Sequence, residues 1–469
     1  MFPGAQLVKS FAIKALTLWA VLAAWNTLAG GEEVALEFPG VETELGVAGV
    51  SEPIPLPPIA SPADDDQLTL ADAESKATAF HPALRAAGAW VRAAHGNWVQ
   101  VGLRPNPEIG YAGEEIGDSG TAGKQGGFIS QELVTGGKLD LNRAVAMREQ
   151  AAAEQRVELT RWQVVTTVRK YYFEALAAER AVTLAHQLND IATQSMSVSE
   201  RRLKAMDVPK TTLLQSQIES ESAALVEQQA TERYSAARRR LATAIGNQDQ
   251  ELPKLEDVFA RPLPELEFET VRDRVLHDSP ELAELRFAVD RARWAVERAT
   301  AGRVPNVTVQ AGAQLDNVTQ DTIANVQLSL PIPLYDRKQG AIAQACGELA
   351  AAQAALEARQ LAIQERLTIA LRDYKTARER VAKYTAKILP AAKETLDLIN
   401  TGYQQGELEY AQVYNVQQTY AAKNLSYLQD LETAWQQWAE IDGFLVGEVV
   451  PISIDRVSQT PENMGDRRY

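Results

Sequence analysis

The sequence predicts a mostly α-helical fold with a small β part: a duplicated unit of long antiparallel coiled-coil helices plus β-hairpins. Three observations predict it. Lys138 to Val208 contains no Gly and no Pro and is dominated by Ala, Leu, Glu, Gln and Arg, residues that lose little on entering a helix. Residues 307–316 and 325–330 alternate between apolar and polar with period two, the mark of strands. The whole pattern recurs about 200 residues later, with Leu241 matching Ile441, which implies duplication of a complete unit.

Composition narrows the function classes. The 469 residues carry 47 Lys and Arg against 62 Asp and Glu, a net charge of −15. That balance argues against nucleic acid as a partner, because phosphate binding needs clustered positive charge. The single Cys346 excludes an intrachain disulfide framework and any multi-cysteine metal site. The histidines, at 81, 95, 186 and 277, are too scattered for a histidine-built metal centre.

Taken in order, residues 1–29 read as a signal peptide. Lys9 and Lys14 precede the apolar run Ala15–Ala24, and the small residues Thr27 and Ala29 follow it. The competing reading is a retained anchor helix. Residues 30–66 read as an acidic, proline-rich linker, with Glu32, Glu33, Glu37, Glu42 and Glu44 followed by Pro53-Ile54-Pro55-Leu56-Pro57-Pro58. The first repeat is expected over 67–248 and the second over 269–447, each a helix, a β-hairpin and a long helix pair. A connection at 249–268 joins them, and 448–469 read as a polar tail.

His81-Pro82-Ala83-Leu84 and Ser279-Pro280-Glu281-Leu282 open matching helices, which stop at Arg104-Pro105-Asn106 and Val304-Pro305-Asn306. In the second hairpin Val307, Val309, Ala311, Ala313 and Leu315 alternate with Thr308, Gln310, Gly312, Gln314 and Asp316. After a turn at 317–320, Val326, Leu328 and Leu330 alternate with Asn325, Gln327 and Ser329. The first hairpin is mixed: Ile109 and Tyr111 alternate, whereas 126–133 follow no clean period. The long helices begin after Gly136-Gly137-Lys138 and after Tyr335-Asp336-Arg337, and they return near Pro209 and Glu407. Leu159, Trp162, Val165, Val168, Tyr172 and Leu176 step by three or four and form one apolar stripe, so the helices pair as antiparallel coiled coils. Pro390 is expected to bend the second long helix without ending it.

Strands of this length suit a membrane span, but a soluble hairpin alternates in the same way. Closure separates the two readings. Four strands cannot close in lipid, where every backbone group needs a partner and small barrels already use about eight strands. Spanning strands therefore require an oligomer, and a trimer supplies a twelve-stranded β-barrel that the helices continue as an α-helical barrel.

Helix, Pro-Asn, hairpin and long helix pair, repeated once, resemble the TolC-type outer-membrane efflux proteins. Leu328-Ser329-Leu330-Pro331-Ile332-Pro333-Leu334-Tyr335-Asp336-Arg337-Lys338-Gln339-Gly340-Ala341-Ile342 resembles the strand-to-helix junction of their cobalt–zinc–cadmium branch. Ser130–Lys138 is similar to the matching junction of the first repeat. The resemblance spans Leu68 to Gly447. It implies a homotrimeric duct through outer-membrane lipid with its helical tunnel in the periplasm. It also implies a periplasmic adaptor and an inner-membrane pump as partners, with passive conduction in the duct itself and heavy-metal cations as a candidate cargo. The competing reading is a soluble periplasmic coiled-coil scaffold.

At the junctions, Pro331 and Pro333 end strand pairing by removing donors. Asp336 is expected to cap a helix beginning near Arg337, while Gly136, Gly137 and Gly340 permit the bend from strand to tube. The resemblance places the periplasmic mouth at the helix-pair turns, where three copies of one residue make a ring and acidic rings favour cations. Some family members carry aspartates one turn into the returning helix; Gln412 and Asn415 stand there in this sequence. Glu407 and Glu409 either replace that charge or complement the helix dipole, and Asp207 at the first turn has the same two readings. Nothing in the sequence reads as a cofactor site or as a catalytic constellation: no glycine-rich phosphate loop, no zinc spacing and no nucleophile with a base. The expectation is a non-enzyme.

Overall fold

A computed structural model describes residues 67–120, 122–246 and 252–446. The expected signal peptide, the linker and the C-terminal tail lie outside these residues.

A two-residue strand β1 (Gln67–Leu68) leads into α1 (Leu70–Phe80) and α2 (Pro82–Val101). The hairpin β2 (Glu108–Glu114) and β3 (Lys124–Leu133) follows. The long pair α3 (Lys138–Lys204) and α4 (Lys210–Ile245) completes the first repeat. In the connection lies β4 (Lys254–Leu255), and the second repeat opens with α5 (Phe268–Asp278) and α6 (Pro280–Ala301). The hairpin β5 (Val307–Asp316) and β6 (Thr322–Ser329) precedes α7 (Gln339–Lys383), α8 (Leu389–Gln405) and α9 (Tyr410–Asp442).

Each repeat thus opens with two helices rather than the single one expected. Proline at the first position of α2 and α6 explains the break. It cannot continue a preceding helix, but its fixed φ suits a new one. His81 supplies the cap of α2, its Nδ1 accepting from the Ala83 N–H at 3.2 Å.

α3 is 67 residues long, about 100 Å at 1.5 Å per residue. From Gln339 to Gln405 the second repeat runs through as many residues without leaving helix. Its one irregularity is a π turn at Tyr384–Ile388, immediately before Pro390. A proline inside a helix lacks a donor and crowds the preceding turn. The wider π turn relieves both without ending the rod.

The main core lies where these rods meet the short helices. Phe173 of α3 stacks with Phe259 (6.2 Å) and lies 5.3 Å from Trp435 of α9; Trp435 and Trp438 meet edge to face at 5.6 Å. Arg169, buried on α3, pairs with Asp442 at the end of α9 and with Glu74 of α1, and Arg274 of α5 reaches Asp442 at 3.0 Å. The connection between repeats is also structured. β1 pairs parallel with β4, and the Tyr172 hydroxyl bridges the Leu68 and Glu256 carbonyls at 2.8 and 2.9 Å.

Candidate functional site

The four longer strands form one antiparallel sheet in the order β2-β3-β5-β6. Opposed residues in an antiparallel pair share a face. Ile109, Ile129, Ala311 and Val326 therefore lie in one row, and Gln131, Val309 and Leu328 in another on the same side. The opposite side carries Glu108, Ser130, Gln310 and Gln327, then Gly110, Phe128, Gly312 and Asn325. One face is mainly apolar and the other mainly polar, across both hairpins. The mixed stretch of β3 resolves here. Phe128 sits on the polar face because its neighbours across the strands are Gly110 and Gly312, which leave room for the ring.

The two strand-to-helix junctions use different chemistry. At the first, Gly136 and Gly137 both hold left-handed backbone (φ +71 and +63), so the chain turns at little steric cost. Asn306 ties this bend down. Its Oδ1 accepts from Lys138 Nζ at 2.5 Å and from the Thr135 N–H at 3.3 Å, and its Nδ2 donates to Glu132 at 2.6 Å. Burial pushes the Lys138 ammonium below the usual lysine range, with Arg298 adding to the effect.

At the second junction two expectations are corrected. The helix begins at Gln339, and Asp336 does not cap it. Its Oδ1 accepts from the Lys338 N–H at 2.9 Å, a local turn ahead of the helix. The Lys338 ammonium, 2.6 Å from the other oxygen, is the main cause that holds the Asp336 carboxyl below its ordinary range. Gly340 makes no bend either, because it lies within the first turn of α7; the left-handed residue is Lys338 (φ +59). Pro331 and Pro333 lie just beyond the last strand residue, Ser329.

The helix-pair turns are matched in backbone. In each, a left-handed residue (Met206 or Gly406) follows the outgoing helix, and the next N–H closes onto the fifth carbonyl back. Asp207 N–H donates to Arg202 at 2.9 Å and Glu407 N–H to Gly402 at 2.9 Å. Asp207, Glu407, Glu409, Gln412 and Asn415 are all exposed. The returning helix was expected from Glu407 but starts at Tyr410. Glu409 takes the N-cap position without using its side chain as a cap.

A cluster missed from the sequence holds the second turn against α3. The Tyr403 and Ser199 hydroxyls share a hydrogen bond at 2.7 Å, and Gln417 Nε2 donates to Ser195 Oγ at 3.1 Å. The Arg202 guanidinium lies 5.3 Å from the Tyr403 ring centre and donates to the Leu408 carbonyl at 3.3 Å. Val198 and Val413 pack beside Tyr403 and Tyr410. Burial pushes the Tyr410 phenol up, and its oxygen has no hydrogen-bond partner among the described residues. The two tyrosines flanking Gly406 were the available signal.

Against known proteins, the pattern of the outer membrane efflux protein family matches residues 74–247 and again 271–445. The chain is 26% identical over 382 residues to the cobalt-zinc-cadmium resistance protein CzcC of Cupriavidus metallidurans, covering 81% of this chain and 90% of that one. Among solved structures, CusC superposes with a TM-score of 0.69 at 17% identity, covering 84% of this chain and 97% of that one. The outer membrane protein VceC of Vibrio cholerae gives 0.67 at 17% identity, covering 81% and 96%.

Proposed function

This chain belongs to the outer membrane efflux protein family, and from that premise we propose that it is the exit duct of a tripartite efflux system, closed as a homotrimer. The observation that carries the trimer is the two-faced sheet, whose edges at β2 and β6 are unpaired among the described residues. An edge left open in hydrocarbon strands its backbone donors and acceptors. Three copies supply twelve strands, enough to close, with the apolar rows toward lipid and the polar rows lining a wet lumen. The long helices carry the duct into the periplasm, toward an adaptor and an inner-membrane pump that supplies the energy.

Heavy-metal cations are the proposed cargo, a reading supported by the likeness to CzcC. Transport within the duct is passive, so selectivity belongs to the pump and the mouth. At the mouth, three copies each of Glu407 and Glu409 form exposed acidic rings that favour cations. The variant with both residues changed to Gln is expected to lower the cation-over-anion permeability ratio in planar bilayers. An unchanged ratio removes these residues from the mouth.

The direct test is the mass of chemically cross-linked protein extracted from isolated outer membranes. A trimer released only by detergent supports the duct. A monomer or dimer released by buffer alone overturns it and leaves the soluble scaffold.

A further inference from the structure

The sheet differs in charge from one end to the other. Four connections join it to the helices, at 102–107, 134–137, 302–306 and 330–338. They carry Arg104, Arg303, Arg337 and Lys338 against Asp336 alone, a net +3. The two turns at the far end, 115–123 and 317–321, carry Glu115, Asp118 and Asp321 and no base, a net −3. Asp336 is already engaged by Lys338 at 2.6 Å. Arg104, Arg303 and Arg337 are exposed and meet no carboxylate among the described residues. Each has an exposed apolar neighbour. Leu103 adjoins Arg104, Val304 adjoins Arg303, and Tyr335 stands two residues before Arg337, at 52%, 46% and 91% exposure. Such pairs suit a membrane boundary, where the apolar side chain enters the acyl edge and the long basic one reaches the headgroups. The same connections hold Pro105, Pro107, Pro305, Pro331 and Pro333, which bring no N–H donor into a zone where unpaired donors are costly. The ten-residue strands β3 and β5 measure about 34 Å, enough to cross the hydrocarbon when tilted, which sets the connections at its edge.

We propose that Arg104, Arg303 and Arg337 form a basic collar that binds the phosphates of anionic glycerophospholipids in the periplasmic leaflet, with Leu103, Val304 and Tyr335 seated in the acyl edge. The collar presupposes the duct reading above, in which the helices run into the periplasm and so fix which leaflet the basic end meets. Lipopolysaccharide phosphates lie at the opposite end of the sheet, where Glu115, Asp118 and Asp321 repel them. Free phosphate leaves the three apolar side chains in water. A guanidinium grips a phosphate diester through two N–H donors, which an ammonium cannot match. Phosphatidylglycerol, with a net negative charge, is therefore held in preference to phosphatidylcholine, whose own cation cancels its phosphate.

Lipid retention tests the collar. The full-length protein is reconstituted in bilayers of phosphatidylcholine and phosphatidylglycerol and re-extracted with mild detergent, and its bound phospholipids are quantified. Phosphatidylglycerol is expected to be enriched at least about fivefold over the starting bilayer, the gain from one basic residue beside anionic lipid. The triple variant Arg104→Gln, Arg303→Gln and Arg337→Gln is expected to lose that enrichment while keeping the helical signal of the chain. Changed to Lys instead, the three positions keep their charge and most of the enrichment. Glu115→Gln, at the acidic end, leaves it unchanged. Equal retention of the two lipids by the unaltered protein, or enrichment that survives in the Gln variant, overturns the collar and leaves the duct standing. Release of phosphatidylglycerol by inorganic phosphate, but not by chloride of equal ionic strength, reveals a free-anion site and overturns the collar as well. A protein that buffer alone strips from the bilayer overturns duct and collar together.

Discussion

At the first hairpin turn Met206 holds a left-handed backbone (φ +62) with its side chain 92% exposed, and at the second Gly406 holds the same conformation (φ +83). The closing hydrogen bonds are equivalent, Asp207 to Arg202 and Glu407 to Gly402. What differs is how each turn is held. The second is seated on α3 through Tyr403, Tyr410 and Arg202, and Leu408 lies over Gly402, where a Cβ would come within 2.7 Å of its Cδ1. The far ends of the returning helices diverge in the same way. Asp442 is buried among Arg169 and Arg274, whereas Ala242 stands at the matching place in α4. The two repeats share a backbone plan, and the second carries polar contacts that fasten its helices to the first.

That comparison breaks most sharply at Asp442. Asp442→Ala removes the buried carboxylate shared by Arg169 and Arg274, leaving Arg169 only Glu74, and is expected to cost about 3–5 kcal/mol, because a buried ion-pair network loses its central charge. Thermal unfolding of the detergent-solubilised protein reads it. The conservative change Ala242→Ser in the first repeat is expected to be far milder, since no ion pair is disturbed. Equal losses would show that the Asp442 network carries no special weight.

The turns come next. Gly406→Met places a Cβ in left-handed backbone and is expected to destabilise by about 1–2 kcal/mol. Met206→Gly relieves the same strain and is expected to stabilise by about 0.4–1 kcal/mol, an amount reduced by the extra freedom glycine gains when unfolded. If Met206→Gly destabilises instead, the methionine side chain is making contacts in the assembled protein.

The smallest effect is a pH dependence confined to the first hairpin. His186 of α3 meets Glu227 of α4 at 2.9 Å, with Asp190 and Asn189 beside them. The Glu227 hydrogen bond, then the Asp190 charge, raise the imidazole above its ordinary value of 6.5. A raised folded value means this link is fully present below 6.5 and is lost as the pH climbs through the folded value. Amide exchange around His186 and Glu227 is expected to quicken from pH 6 to pH 8. The second repeat joins its helices near that level through Tyr384 and Tyr427, 6.3 Å apart edge to face, and its exchange should follow only the intrinsic rate.

Much of this architecture was legible before folding, because its signals are local or periodic. Long stretches without Gly or Pro, prolines that start helices, a period of two in 307–316 and a repeat near 200 residues each report on backbone that neighbouring residues determine. Gly136 and Gly137 were legible for the same reason, as left-handed turns favour glycine. Where the determinants were distant in sequence, reading failed. Lys338 supplies the second left-handed junction residue although lysine is not selected for it, and Asp336 turns the chain before the helix instead of capping it.

By itself, then, the sequence determined the duplicated helical plan, the second hairpin with its two faces and, to within a few residues, where the rods begin and turn. These follow from propensity and spacing. Only the tertiary structure decided that both hairpins merge into one sheet, that Phe128 belongs to the polar face between Gly110 and Gly312, and that Asn306 clamps a bend some 170 residues upstream. It also decided that the second turn is seated on α3 through Tyr403 and Arg202. Such choices depend on which side chains arrive opposite one another, and no period in the chain encodes that meeting.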